Sequence, residues 1–220
     1  GIGGEAEVRA RTGTLQKAAS VRVRLQRSVV LPGAEGATEG RFSSPMAPRG
    51  EAPRVVYPLA EALLPPNLEA PEVHLLRGAG QGLFELRLRS AFADVRVYGR
   101  CQALGAGCAL PLERRLWHSI ARSAAGGRER RDPLTLTLRA LDEKSGAVGE
   151  AAALPLYVAD EDVRGGVYYW TSLRQGGGGS GVYRIDLGRG GAAEAFYTQD
   201  SAPQNHKGED RKSTRLNSSH

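Results

Sequence analysis

Alternation of apolar with charged residues at every second position constrains this chain more than any other feature. Val21-Arg22-Val23-Arg24-Leu25 and Leu86-Arg87-Leu88-Arg89 each put an aliphatic side chain on one side of the backbone and an arginine on the other. This is the two-residue period of a half-buried β-strand. Such runs recur along the sequence, so the expected class is all-β, with the arginines on the solvent faces of strands. With one Met and four Phe in 220 residues, the core must be built from Val, Leu, Ala and Tyr. No stretch approaches the roughly 18 apolar residues that a membrane helix needs.

Both ends of the chain are set aside. The last eleven residues, Asp210 to His220, read DRKSTRLNSSH, word for word the translation of a common sequencing-adapter DNA, and are read as an artefact rather than as protein. They carry three cations and one carboxylate, so removing them lowers the net charge from +6 to +4. The chain opens Gly-Ile-Gly-Gly, with no initiator Met and no basic or apolar leader, and is expected to be an internal fragment of a larger exported protein. A mildly basic balance leaves two readings of the arginines: a charge-lined sheet face, or a polyanion-binding surface. Aromatics are not interleaved with the basic residues as stacking platforms, so no nucleic-acid partner is expected.

Residues 1–30 read as a hairpin, Glu5 to Arg11 and Ser20 to Val30 around an Arg-Thr-Gly-Thr turn. Two strands cannot bury a stable face alone, so the hairpin is expected to end a truncated immunoglobulin-like domain. Residues 31–53 are rich in Pro, Gly, Ala, Ser and Glu without periodicity and read as a linker or long surface loop. Residues 54–160 contain candidate strands Arg54 to Tyr57, Glu72 to Leu76, Leu83 to Ser90, Val95 to Cys101, Leu134 to Leu141 and Ala152 to Val158, separated by clear turn signals. Short alternating strands at this density predict an antiparallel β-sandwich of the immunoglobulin or fibronectin-III kind, with Leu75, Leu86, Leu88, Val97, Leu136, Leu138 and Leu156 inward. One helix interrupts it: Pro111 to Ala124 places Leu112, Leu116, Trp117 and Ile120 at helical spacing between a Pro and a Gly-Gly pair, with Trp117 inward.

Beyond Asp160 the strands become aromatic: GVYYWTSL (Gly166 to Leu173), GVYRIDL (Gly181 to Leu187) and a possible third at Ala193 to Tyr197. The run from Asp162 through VRGGVYYWTS to GVYRIDLGRGGAAEAFYT resembles the first strands of a TolB or PD40 type β-propeller. With Val55 to Asn67, VVYPLAEALLPPN, it is similar to large exported bacterial repeat proteins and lipoproteins in which immunoglobulin-like domains precede a propeller. The resemblance implies that residues 161–200 are one partial blade; residues 201–220, almost without apolar side chains, read as a disordered tail. It also implies that the partner is the rest of the parent chain, together with a cell-envelope polymer or protein.

No arrangement in the sequence spells out catalysis, a cofactor or a metal. Asp160, Glu161 and Asp162 lack the ligand spacing of a calcium loop. His118 and Ser119 are adjacent on a helix and point about 100° apart, and no Gly-x-Ser-x-Gly elbow exists. His74 has no nearby Cys or His to complete a metal site. Gln175-Gly176-Gly177-Gly178-Gly179-Ser180 lacks the Gly-Lys-Ser/Thr of a phosphate cradle and reads as a hairpin loop.

Cys101 and Cys108, the only cysteines, are separated by six residues that include two glycines, and are expected to form a disulfide. Free core thiols remain the competing reading. A bridge would place the protein in an oxidising compartment, the periplasm or cell surface. The leading expectation is a non-catalytic structural or interaction module. The alternatives are a carbohydrate- or polyanion-binding sandwich, which requires an exposed aromatic row or an arginine-lined concavity, and the non-catalytic part of an enzyme or haem-carrying protein whose site lies downstream.

Overall fold

The computed structural model describes residues 1–36, 39–44, 48–125, 132–171, 180–187 and 192–198. The adapter-like residues 210–220, the stretch 201–209 and most of the glycine loop 175–180 lie outside these. The chain is mostly β and divides into two compact units, Gly1–Val163 and Arg164–His220.

The first unit holds β1 (Gly4–Thr12), β2 (Leu15–Val23), β3 (Leu25–Val30), the short α1 (Glu39–Phe42), β4 (Arg54–Tyr57), β5 (Leu63–Leu64), β6 (Val73–Leu76), β7 (Gln81–Arg89), β8 (Ala93–Gly99), β9 (Gln102–Leu104), β10 (Gly107–Leu110), α2 (Arg114–Ala124), β11 (Leu134–Asp142), β12 (Val148–Glu150) and β13 (Leu154–Val158). Two sheets face one core. One runs β4-β6-β10-β9; the other runs β3-β8-β7-β11-β13-β5, with β12 alongside β11.

The alternation decides which side of each strand is dry. Across β8, β7 and β11 the register sets Val97 beside Leu86 beside Leu138, and Val95 beside Leu88 beside Leu136. These join Val73 and Leu75 of β6, Leu110 of β10 and Leu156 of β13 in one buried cluster. All seven side chains expected inward are buried. Helix α2 closes the cluster with Leu116, Trp117, Ile120, Ala121 and Ala124, one apolar stripe at helical spacing. It begins at Arg114, three residues later than Pro111, directly after Glu113, whose backbone is extended. The Trp117 indole N–H is buried without a hydrogen-bond partner among the described residues.

Two boundaries differ from the sequence reading. The run Ser20 to Val30 is two strands, broken at Arg24. Its first part closes the β1–β2 hairpin across Gly13-Thr14, where Gly13 adopts φ +55°, a left-handed conformation that favours glycine. Its second part, β3, leaves the hairpin and pairs with β8, from Leu25 beside Ala93 to Val30 beside Tyr98. Leu25 and Val29 pack on the main core, so residues 25–30 belong to the sandwich sheet rather than to a separate truncated domain. This pairing is parallel, as is that of β5 with β13, so an otherwise antiparallel sheet carries parallel strands at both edges.

The stretch 31–53 is not a free linker. Ala34 and Phe42 are buried with Leu83, Tyr98 and Leu141 in a second, smaller cluster on the sheet's outer face. The Phe42 and Tyr98 rings lie 5.6 Å apart. The strap is stitched down by Leu31 N–H to Tyr98 O (2.8 Å), Arg100 Nε to Gly33 O (2.6 Å) and Gln81 Nε2 to Glu51 O (2.5 Å). At Gly149 a Cβ would overlap the Glu51 carbonyl, so the strap approaches β12 as closely as it does only because no side chain stands there.

The second unit is an antiparallel meander, β14 (Gly166–Thr171), β15 (Gly181–Asp186) and β16 (Glu194–Thr198). Tyr169 stacks on Tyr183 with ring centres 6.0 Å apart, and Tyr168 meets the edge of Phe196 at 4.9 Å.

Burial separates the two parts of the first unit energetically. Leu138→Ala, at the centre of the core, is expected to destabilise the fold by about 2–5 kcal/mol. Val8→Ala, on the exposed hairpin, is expected to change stability by no more than about 0.5 kcal/mol. Urea unfolding of both variants measures the contrast.

Candidate functional site

The cysteines stand where the chain crosses from one sheet to the other. It leaves the larger sheet at Gly99, passes Cys101, and forms the β9–β10 hairpin, whose turn at Gly105 has φ +55°. Cys108 lies on β10 opposite Leu75 of β6, in the smaller sheet. Cys101 and Cys108 are disulfide-bonded with their Cα atoms 5.4 Å apart, inside the 4.4–6.8 Å range of an ordinary bridge. The bond ties the end of β8 to β10, so it fixes the crossing between sheets rather than the start of the helix. Cys108 is buried in the main core and Cys101 packs against it.

On the opposite face of β7, β8 and β11 the period-2 pattern delivers Glu85, Arg87, Arg89, Asp94, Arg96, Tyr98, Thr135, Thr137 and Arg139 side by side. Glu85 is only 3% exposed and is compensated there: Tyr98 Oη donates to it at 2.9 Å and Arg139 lies 3.4 Å away. Burial, then the Glu85 carboxylate, pushes the Tyr98 phenol up, so it stays a donor. Arg87 forks onto Asp94 with bonds of 2.8 and 2.7 Å and holds that carboxyl below its ordinary 3.8. Arg96 reaches Glu39 of the strap at 2.5 Å, Arg139 also reaches Glu150 at 3.0 Å, and Arg100 grips Glu143 at 2.6 and 3.0 Å.

The other residues singled out from the sequence are not brought together. Ser119 donates to the Arg115 carbonyl of its own helix, and His118 Nε2 lies 3.3 Å from Leu68 O. His74 sits beside Glu72 (3.3 Å) and the Tyr57 ring. Asp162 takes both its bonds from Arg122, at 2.6 and 2.8 Å, while Asp160 and Glu161 are exposed. Among the described residues no three His, Cys, Asp or Glu side chains gather as a metal site. None of the helices is long and apolar enough to cross a membrane, among the same residues.

The Glu85–Tyr98–Arg139 network and the strap that covers it were missed in the sequence. The available signals were small: a glutamate inside the leucine run of β7, and a lone Phe42 in an aromatic-poor segment. Comparison with protein-family models, with curated proteins and with solved structures returns no match.

Two measurements follow from this geometry. Reducing the bridge releases a short loop and is expected to lower stability by roughly 2.5 kcal/mol, read as a shift of the urea midpoint with and without dithiothreitol. Asp94, with its folded pKa below 3.8, contributes stability that is present above about pH 4 and lost as pH falls through the folded value. Asp94→Asn should therefore cost about 1–3 kcal/mol at pH 7, and its difference from the parent protein should narrow as the pH falls below 3.8 toward the lowered folded value.

Proposed function

We propose that this chain is a non-catalytic structural and interaction module of an exported bacterial protein: an immunoglobulin-like sandwich, braced by one disulfide, that carries a downstream propeller. The observation that carries this reading is the second unit, where three consecutive strands form an antiparallel meander immediately after the sandwich. Propeller blades are four-stranded antiparallel sheets, and β14, β15 and β16 have the order in which a blade is laid down. Tyr168, Trp170, Phe196 and Tyr197 of this sheet are exposed, as expected of a blade that stacks against others. The Cys101–Cys108 bridge supports an oxidising compartment, and no catalytic group or cofactor is assigned.

The natural gene tests this directly. Its reading frame beyond Thr198 is expected to encode further aromatic hairpins at a period of about 40–50 residues. The protein in its native cell is expected in the periplasmic or surface fraction, with both cysteines resistant to maleimide until reduced. A frame without such repeats, or a cytosolic protein with free thiols, would overturn the proposal.

A further inference from the structure

Charge pairing on the outer sheet face is complete at one end and fails at the other. Arg96, Arg100 and Arg139 each hold a carboxylate. Arg89, exposed at the end of β7, forms no ion pair among the described residues. Among the described residues Arg24 reaches only Asp94, at 3.7 Å, and both oxygens of that carboxylate are already engaged by Arg87. These three arginines line an open groove of about 580 Å³ together with Asp132, Thr135 and Thr137.

The groove is laid out by register. Thr135 stands opposite Arg89 and Thr137 opposite Arg87, so two hydroxyls alternate with two guanidinium groups across β7 and β11. Asp132 is held by the Ala91 N–H at 3.2 Å. A neighbouring hollow of about 380 Å³ over β3 and β8 is lined on this face by Gln26, Ser28, Asp94 and Arg96, whereas Arg27 stands opposite the inward Val95 and alternates to the core side of its strand. On this face Arg24, Arg87, Arg89 and Arg96 meet Asp94, Asp132 and, through Arg96, Glu39, leaving one net positive charge on the strip. Guanidinium groups present planar forks that fit carboxylate and sulfate oxygens, and the Arg87–Asp94 bond holds one of them in place.

Two hollows in a row suit an extended ligand. Among the described residues no aromatic side chain lines either, so they offer no platform on which bases would stack. We propose that this strip binds an anionic polysaccharide, with Arg89 and Arg24 engaging its sulfate or carboxylate groups and Thr135 and Thr137 its hydroxyls. The proposal stands whether or not a propeller follows the sandwich.

Calorimetry with the full chain tests it, using dextran sulfate and hyaluronate as sulfated and carboxylated probes, with neutral dextran and polyuridylate beside them. Dextran sulfate, hyaluronate or both should bind, and whichever binds assigns the anion; neutral dextran should not. Arg24→Ala with Arg89→Ala is expected to weaken binding about tenfold or more and to flatten its salt dependence, and Arg89→Glu alone should act in the same direction. Arg11→Ala with Arg115→Ala, the same loss of charge on the hairpin and helix, should change affinity less than about twofold. Unchanged urea midpoints in all variants exclude unfolding as the cause, and Arg89→Glu, at an exposed position, keeps the test open should the double variant misfold. Equal weakening by the two double variants would reduce the effect to net charge and overturn the site. Failure of both anionic polysaccharides to bind, or tighter binding of polyuridylate, would overturn it as well.

Discussion

The seam of aliphatic side chains between the two sheets is the constraint on which the rest of this structure depends. Leu86, Leu88, Val95, Val97, Leu136 and Leu138 come from the three central strands and meet Val73, Leu75 and Leu110 across the sandwich. Each such side chain contributes about 1.5–3 kcal/mol by leaving water, and no other set of contacts in the first unit is as large. Helix α2 lies where its apolar stripe can close that seam, and the cysteine bridge fixes the point at which the chain passes from one side of it to the other.

Keeping one face of β7, β8 and β11 dry commits the opposite face to everything that alternates with the leucines. That face is charged, and near the strap it is also covered. Glu85 is buried there because Tyr98 and Arg139 supply the hydrogen bond and the countercharge that an isolated carboxylate would lack. Phe42 and Ala34 then shield the network from water. Toward Arg24 and Arg89 only Asp94 and Asp132 face the arginines among the described residues, and Arg87 already engages both oxygens of Asp94. The same alternation therefore produces a closed, self-neutralised region and an open cationic one on a single sheet.

The apolar side chains left in water mark the parts of the chain that the sandwich does not use. The β1–β2 hairpin exposes Val8, Leu15, Val21 and Val23. The meander of the second unit exposes Tyr168, Trp170 and Phe196 while stacking Tyr169 on Tyr183. Isolated sheets of two or three strands bury little by themselves, so such faces gain stability only when something packs on them.

The sequence by itself determined the strands. The period of two over Leu83 to Ser90 and Leu134 to Leu141 chose both the conformation and the inward residues, because in a strand the face of a side chain follows from its parity alone. It also determined the disulfide, since two cysteines separated by six residues with glycines between them have a short path to each other. Partner choice was decided only by the tertiary structure. Val21-Arg22-Val23-Arg24-Leu25 reads as one continuous strand, yet the chain changes partner at Arg24, because Leu25 and Val29 reach the core beside β8 whereas Val21 and Val23 remain on the hairpin. The strap was hidden for a related reason: three contacts by Leu31, Ala34 and Phe42 anchor it, and isolated contacts leave no period. Which arginines are neutralised was equally invisible. Their carboxylates arrive from Glu39, Asp94, Glu143 and Glu150, and only the folded sheet sets the distances between them.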